Sequence, residues 1–367
     1  MSTDLGLPTL LSGLANVPKL EPGDAAQTRK DFTSDAEVRW CPGCGDYAIL
    51  AAVQGFMPEL GIKRENVVCV SGIGCSSRFP YYLDTYGLHS IHGRAPAIAT
   101  GLVTSRPDLN VWVITGDGDA LSIGGNHLIH ALRRNVNITI LLFNNQIYGL
   151  TKGQYSPTSQ PGKVTKSTPA GSVDTPFNPT SLALGAEATF VARTLDSDRK
   201  HLTSVLRQAV QHRGAALVEI YQNCPIFNDG AFDVLKDRDE AATRLIRLEH
   251  GQPIQFGPNQ EHAVVRGRDG SLQVANLNGA SDEERAAVLV HDAHDPNPAT
   301  QFALSRLDES SLSHVPIGVL RSVSRPTYDD LVRAQVDDAI AANGGPATDD
   351  DLAALLAGND TWSVDNS

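Results

Sequence analysis

The chain has 367 residues, of which 41% are hydrophobic and 20% charged, a composition that excludes a disordered chain and fits a soluble globular enzyme. The net charge of −12 argues against a non-specific nucleic-acid binder, because such proteins neutralise phosphates with basic residues. No stretch approaches the roughly 20 apolar residues that span a bilayer, and no basic region precedes the apolar N-terminal residues, so we expect a cytoplasmic protein without membrane attachment.

Hydrophobic periodicity predicts alternating strands and helices. In chain order we expect a helix over 46–60, a strand over 67–70, a helix over 95–105, a strand over 110–115, a helix over 124–134, a strand over 137–143, a weak strand over 191–194, a helix over 196–213 and a strand over 216–221. Such alternation is typical of an α/β fold, a parallel sheet with helices on both faces that binds ligands at the carboxyl ends of its strands.

The alternation divides the chain into three predicted segments. Residues 1–35 have no periodicity and are expected to form an N-terminal extension that wraps a surface or is partly mobile. Residues 36–224 form the alternating domain. Residues 225–367 form a C-terminal extension, in which Asp269-Gly270 predicts a β-hairpin and residues 328–342 predict a helix.

Two predicted strands run directly into polar motifs. Gly116-Asp117-Gly118 follows one strand, and Asn144-Asn145 follows the next, with residues 119–143 between the motifs. Magnesium diphosphates favour carboxylate, amide and backbone oxygens, and glycines allow the backbone to approach phosphates. We assign as magnesium ligands the side chains of Asp117 and Asn145 and the carbonyl of Ile147. The glycine motif alone could be an ordinary strand-to-helix turn, but the pair resembles the signature of thiamine-diphosphate enzymes.

Four of the five cysteines fall in predicted loops or at strand ends, and they are Cys41, Cys44, Cys75 and Cys224. Cys69 falls inside a predicted strand and is interpreted as a core thiol. Thiolates from separate loops suit tetrahedral Zn²⁺ or a [4Fe–4S] cluster, and their spacing does not decide between the two. Cys75 and Cys224 could also be unrelated core cysteines.

Several motifs in fixed order resemble one family. They are Trp40-Cys-Pro-Gly-Cys-Gly45, Gly72-Ile-Gly-Cys-Ser76, His92-Gly-Arg-Ala95, Ala99-Thr-Gly101, Gly116-Asp-Gly-Asp119, Asn144-Asn-Gln-Ile-Tyr-Gly-Leu-Thr-Lys-Gly-Gln154 and Ser156-Pro-Thr158. Together they look like the beta subunit of 2-oxoacid:ferredoxin oxidoreductases, over about residues 39–227. The resemblance implies a thiamine-diphosphate-binding fold.

The resemblance also implies roles for individual residues. It implies that Cys41, Cys44, Cys75 and Cys224 bind one [4Fe–4S] cluster. The residues expected to contact or adjoin thiamine diphosphate are Cys44, Ile73, Gly74, Ser76, His92, Gly116, Asp117, Gly118, Asp119, Asn145 and Gly149. His92 is expected to act in catalysis, although alone it could equally be a loop histidine bonded to backbone.

Lys152 departs from the pattern of many relatives, which carry glycine at this place. A lysine beside the cofactor supplies a positive charge for a carboxylate. This charge favours 2-oxoglutarate, with its distal carboxylate, over pyruvate, so we expect Lys152 to bind substrate and to act in catalysis. The alternative is a solvated loop lysine.

The chain holds one α/β unit of suitable size, whereas thiamine diphosphate spans a diphosphate and a pyrimidine half-site. The resemblance implies an alpha subunit that supplies the pyrimidine half, in an αβ or (αβ)₂ assembly, so we predict that the isolated chain is inactive. It further implies that a 2-oxoacid is decarboxylated, coenzyme A takes the acyl group, and electrons pass through the cluster to ferredoxin.

Two other functions remain open from the sequence. One is a non-redox thiamine-dependent decarboxylase with structural zinc, and the other is a non-catalytic electron-transfer subunit with a vestigial thiamine site. Ferredoxins are commonly acidic, as this chain is, so docking would need a local basic patch from Lys163, Lys166 or the partner chain.

Overall fold

A computed structural model describes residues 12–307, 311–359, 361–362 and 364 of the chain. The strands are β1 (Val67–Ser71), β2 (Tyr86–His89), β3 (Asn110–Gly116), β4 (Thr139–Asn144), β5 (Phe190–Leu195), β6 (Ala216–Tyr221), β7 (Leu245–Leu248), β8 (Gln255–Phe256), β9 (His262–Arg266), β10 (Leu272–Asn276) and β11 (Val315–Ser322).

The helices alternate with these strands in the first two thirds of the chain. They are α1 (Asp46–Phe56), α2 (Ala95–Ser105), α3 (Asp117–Leu121), α4 (Gly125–Arg134), α5 (Pro179–Gly185), α6 (Arg199–Gln211), α7 (Arg238–Arg244), α8 (Asp282–Ala286), α9 (Ala299–Ser305), α10 (Tyr328–Ala342) and α11 (Asp349–Ala357). Among the described residues, no helix combines the length and the apolar character that a membrane crossing requires.

Within the described residues the main sheet has eight strands in the order β2-β1-β3-β4-β6-β5-β11-β7. Its neighbouring strands are parallel except for β11, which runs antiparallel to β5. A smaller antiparallel sheet contains β10, β9 and β8. The predicted α/β fold is confirmed, and so is the hairpin, formed by β9 and β10.

The core lies on both faces of the main sheet because side chains alternate along each strand. In β1, Val67 and Cys69 pack on the face that α1 and α6 cover. Val68 and Val70 pack on the opposite face, against α2, α4 and α5. Strands buried on both sides are apolar throughout, which explains why their sequences are short hydrophobic runs.

Several predicted boundaries were wrong, and some elements were missed. The helix predicted over 46–60 ends at Phe56 and continues as one 3₁₀ turn to Gly61, whose φ of +62° stops it. The helix predicted over 196–213 begins at Arg199 because the Asp198 carboxylate caps it through the His201 N–H. β2, α3 and α5 were not predicted.

The two extensions contribute to the body of the protein. Residues 1–11 lie outside the described residues, and between residues 12 and 35 Leu14 and Val17 are buried against the α1 face. That residues 1–35 form an extension that wraps a surface or is partly mobile stays a prediction. The helix predicted over 328–342 is confirmed as α10. The alternation of strands and helices was expected to stop at residue 225, yet β7 and β11 join the main sheet. The division of the chain into separate segments at residue 224 therefore stays a prediction.

Acid should destabilise the fold through His212. This ring lies 2.8 Å from Thr189 Oγ1, and burial lowers its pKa to about 4. The pKa of a histidine in the unfolded chain is about 6.5. The stability that the neutral ring contributes is therefore complete above pH 6.5 and is lost as the pH falls toward 4. The loss of unfolding free energy amounts to about 3 kcal/mol. In urea titrations from pH 7 to 4.5, His212→Gln should lose less unfolding free energy than the wild type. Parallel curves for the two proteins would contradict this.

Candidate functional site

Two neighbouring strands deliver the polar residues of the candidate site. β3 ends at Gly116 and β4 at Asn144, and Gly116 pairs with Phe143 in the parallel register. Both strand ends therefore lie side by side at the carboxyl edge of the sheet, where Asp117 begins α3.

Asp117 is a buried carboxylate with two hydroxyl partners. Its Oδ2 accepts hydrogen bonds from Ser156 Oγ and, at 2.7 Å, from Thr158 Oγ1. Burial raises the pKa of Asp117 to about 6, although both hydroxyls act to lower it. A buried carboxylate is stabilised by a bound cation, so this residue fits the role of a ligand to a divalent metal.

The two asparagines have different partners. Asn144 is buried, and its Nδ2 donates to Glu219 Oε1 at 2.7 Å. Asn145 lies at the pocket, where its Oδ1 accepts from the Ile147 N–H at 3.2 Å. Gln146, directly after the two asparagines, has φ of +55° and forms a left-handed turn before Ile147.

Asp119 holds two loops and a histidine in place. Its Oδ1 accepts from the backbone N–H groups of Ile73 and Gly93 at 3.1 and 2.8 Å, and its Oδ2 accepts from Thr115 Oγ1 at 2.8 Å. Nδ1 of His92 lies 2.7 Å from Oδ1. An ionised carboxylate only accepts, so Nδ1 carries a proton and Nε2 is the nitrogen left for a ligand.

Close approaches require glycine at two positions in this region. A Cβ at Gly118 would lie 2.2 Å from the Tyr148 ring, and one at Gly72 would lie 1.8 Å from Asp119 Oδ2. The chain therefore passes these points without side chains, which leaves backbone groups near the pocket.

One pocket at the sheet edge brings most of the predicted residues together. Its lining contains Ile73, Gly74, Cys75, Ser76, His92, Gly116, Asp117, Gly118, Asp119, Phe143, Asn145, Ile147, Tyr148, Gly149, Leu150, Thr151 and Gln222. Cys41, Cys44, Cys224 and Lys152 are outside this lining.

The Cys41–Cys44 loop is attached to the segment that precedes Cys224. The Cys44 N–H donates to the Cys41 carbonyl at 3.0 Å, and the Gly45 N–H donates to the Asn223 carbonyl at 3.1 Å. This contact brings the end of β6 against the loop before α1.

Cys75 and Cys224 flank Gly149. A Cβ on Gly149 would lie 3.3 Å from Cys75 Sγ and 3.9 Å from Cys224 Sγ, so two thiols and the pocket wall meet at this glycine. Burial raises the pKa of the Cys75 thiol to about 12 and also raises that of Cys44. Thiols in such surroundings become thiolates when a metal provides the compensating charge, so the donor set fits a metal centre.

Cys69 is separate from these cysteines. It is buried in β1 within the core, as predicted. In the part of the chain that the structure describes, no three Cys, His, Asp or Glu side chains are arranged around a single-ion site.

Comparison with known proteins identifies the relatives of this chain. Residues 65–220 match the family described as thiamine pyrophosphate enzyme, C-terminal TPP binding domain. The chain is 64% identical to 2-oxoglutarate oxidoreductase subunit KorB of Mycobacterium tuberculosis, over 99% of this chain and 95% of that protein. It is 43% identical to 2-oxoacid:ferredoxin oxidoreductase subunit beta of Sulfolobus sp, over 64% of this chain and 77% of that protein.

The chain belongs to the beta subunits of 2-oxoacid:ferredoxin oxidoreductases.

The fold of this beta subunit also matches a solved structure. The match is to 2-oxoglutarate:ferredoxin oxidoreductase from Magnetococcus marinus with 2-oxoglutarate, coenzyme A and succinyl-CoA bound. The TM-score is 0.71 at 34% identity, over 93% of this chain and 99% of that chain.

Lys152 of the beta subunit lies beside the pocket lining, on an exposed turn. Its backbone N–H donates to the Gly149 carbonyl at 2.9 Å, and its φ is +76°. The left-handed region favours glycine and costs a lysine on the order of 1 kcal/mol. The side chain has no ion-pair partner among the described residues.

Sequence reasoning missed other residues of the beta subunit's site. Ser156 and Thr158 were quoted as a motif, but no role was given to them because their loop has no periodicity. Asp46 was also missed, and its buried carboxylate adjoins the Cys44 thiol. Burial, and secondarily the charge of Asp196, raises the pKa of Asp46 to about 7. An acidic residue directly after Cys-x-x-Cys-Gly was the only available signal.

Proposed function

We propose that this beta subunit carries the diphosphate half of a thiamine site and a [4Fe–4S] cluster in an enzyme that converts 2-oxoglutarate to succinyl-CoA and CO₂ and reduces ferredoxin. The proposal rests on one arrangement. Asp117 and Asn145, at adjacent strand ends, line a pocket whose wall at Gly149 adjoins the thiols of Cys75 and Cys224. The names of the Mycobacterium tuberculosis relative and of the Magnetococcus marinus structure support the choice of substrate.

Mg²⁺ and the diphosphate would be held by Asp117, the Asn145 side chain and the Ile147 carbonyl. Burial raises the pKa of Asp117, and a bound cation would compensate its buried negative charge, which supports this assignment. Thiamine diphosphate supplies the electron sink that decarboxylation of a 2-oxoacid requires. The glycines at 116 and 118 would keep side chains away from its phosphates.

His92 would hold or move a proton at Nε2. Its Nδ1–Asp119 contact fixes the ring and the tautomer, and the side chain is 43% exposed at the pocket. A half-exposed imidazole with one nitrogen fixed by a carboxylate is suited to proton transfer.

Cys41, Cys44, Cys75 and Cys224 would hold the cluster, which accepts single electrons. Gly149 supports this role, because it brings two of the thiols to the wall of the thiamine pocket. Ferredoxin would then dock nearby. Lys163 is engaged by Asn228 Oδ1, which leaves exposed Lys166 as the cation of this loop for an acidic carrier.

An alpha subunit would complete the site from the rim of the pocket. The rim exposes large apolar side chains, among them Ile91 at 72% and Ile123 at 55%. Apolar surface of this kind is typical of a protein interface. The complex would work in the cytoplasm, as expected for a ferredoxin-dependent enzyme.

Lys152 would bind the distal carboxylate of 2-oxoglutarate. Its left-handed backbone supports this role, because a residue kept in a strained conformation beside a pocket commonly serves function there. Arg78 is a second cation near Cys75, and its buried Nε has no hydrogen-bond partner among the described residues.

A substrate screen of the αβ complex tests both the reaction and the residue. The wild type should reduce ferredoxin with 2-oxoglutarate and coenzyme A faster than with pyruvate. Lys152→Ala should lower kcat/KM for 2-oxoglutarate by about 10- to 100-fold, the worth of a charged hydrogen bond, and leave that for pyruvate unchanged.

Lys200→Ala is the control, since it removes the same charge from an exposed position of α6 outside the pocket lining. Equal losses for both substrates in Lys152→Ala would contradict the carboxylate contact. Arg78→Ala would then be the next variant to measure.

A further inference from the structure

A charged pair is buried in the centre of the main sheet. Arg193 of β5 and Glu219 of β6 are direct neighbours in the parallel register, and their side chains are 3% and 0% exposed. Arg193 Nε donates to Glu219 Oε2 at 2.7 Å. Burying two charges costs several kcal/mol per ion before their attraction is counted, so a pair in this place is poorly explained by stability alone.

The other oxygen of Glu219 determines how Asn144 is oriented. Glu219 Oε1 accepts from Asn144 Nδ2 at 2.7 Å. Because an ionised carboxylate only accepts, the amide must present its NH₂ to Glu219 and its Oδ1 to the opposite side. The ion pair with Arg193 holds this carboxylate in place.

Asn144 Oδ1 in turn meets the loops of the candidate site. It accepts from the Gln146 N–H at 3.2 Å, in the left-handed turn that leads to Ile147. It also lies 2.9 Å from Thr158 Oγ1, which is 2.7 Å from Asp117 Oδ2. A continuous series of contacts thus links the centre of the sheet to the carboxylate at the pocket.

We propose that Arg193 and Glu219 are positioning residues for the magnesium site, acting through Asn144 and Thr158 on Asp117. We call these five residues the buried relay. The inference rests on the proposed function, because it concerns how the same site holds Mg²⁺ and thiamine diphosphate. Residues that orient metal ligands from behind typically change metal affinity by about 10- to 100-fold when they are replaced.

The test is Glu219→Gln in the complex with the alpha subunit. At fixed thiamine diphosphate, cofactor binding is followed by calorimetry while Mg²⁺ is varied. The Mg²⁺ concentration for half-saturation should rise about 10- to 100-fold, and kcat at saturating Mg²⁺ should change far less. A role confined to general stability would lower the unfolding temperature without moving this half-saturation.

Two further variants keep the test decisive. Thr158→Val breaks the buried relay at its loop end and should also raise the Mg²⁺ requirement, even if Glu219→Gln fails to fold. Thr180→Val is the control, because it removes the 2.9 Å contact to Arg193 Nη2 and leaves the Glu219–Asn144 bond intact.

If Glu219→Gln folds and its Mg²⁺ requirement is unchanged, the buried relay is overturned while the proposed function stands. If Glu219→Gln does not fold, an unchanged Mg²⁺ requirement in Thr158→Val has the same meaning. A wild-type complex that binds no Mg²⁺ and thiamine diphosphate would instead overturn the proposed function, and the relay with it.

Discussion

Asp117→Ala should abolish thiamine-dependent turnover of the αβ complex. The substitution removes the carboxylate that we assign to Mg²⁺. It also leaves the hydroxyls of Ser156 and Thr158 without the acceptor of their hydrogen bonds. Loss of a direct ligand should exceed the effect of a supporting residue, so we expect activity to fall more than about 100-fold. Ferredoxin reduction with 2-oxoglutarate and calorimetric binding of Mg²⁺–thiamine diphosphate should fall together.

Asp174→Ala provides the control for this variant. Asp174 lies exposed in the loop between β4 and α5, outside the pocket lining, so its loss should leave turnover intact. Full activity in Asp117→Ala would favour a non-catalytic electron-transfer subunit with a vestigial thiamine site.

Cys224→Ser should remove the iron–sulfur cluster that we propose for this subunit. Cys224 is 9% exposed, and its Sγ adjoins Gly149 and, across it, Cys75. Serine offers a harder and far less acidic ligand than thiolate, so the fourth connection to the cluster should fail. The anaerobically purified complex should lose iron, part of its broad visible absorption and electron transfer to ferredoxin.

Cys69→Ala is the matched cysteine control. It should keep the iron and the colour and lose roughly 1 kcal/mol of stability, because Cys69 only fills space in β1. A colourless wild-type preparation with one zinc per chain would reject the cluster and leave a structural zinc site as the explanation.

The central part of the fold could be predicted from sequence because its strands are buried on both faces. β3 and β4 are continuous apolar runs that end in polar motifs, so their position at the site followed from the sequence. β2 was missed because all four of its residues are exposed, and an edge strand of Tyr-Gly-Leu-His has no apolar run to detect. β7 and β11 pair with strands far away in sequence, which local patterns do not encode.

The motifs of the site could be predicted from the sequence, but the residues that hydrogen-bond to them could not. Asp117, Asn145 and Gly149 follow from spacing or resemblance, and they do line one pocket. The hydroxyl partners of Asp117 come from an aperiodic loop, whose path depends on turns such as the one at Gln146. The orientation of Asn144 on β4 depends on Glu219 of the neighbouring strand β6, which lies far away in sequence. No local sequence pattern predicts such a contact.

Strand β11 has a consequence for synthesis of the chain. β5 pairs with β6 on one side, and its other edge is closed only by β11, after residues 196–314 have been made. At about 5–20 residues per second the nascent sheet would carry an open edge on the order of ten seconds. Open edges recruit other chains, so we expect the ribosome-bound protein to be most prone to aggregation before Val315–Ser322 emerges.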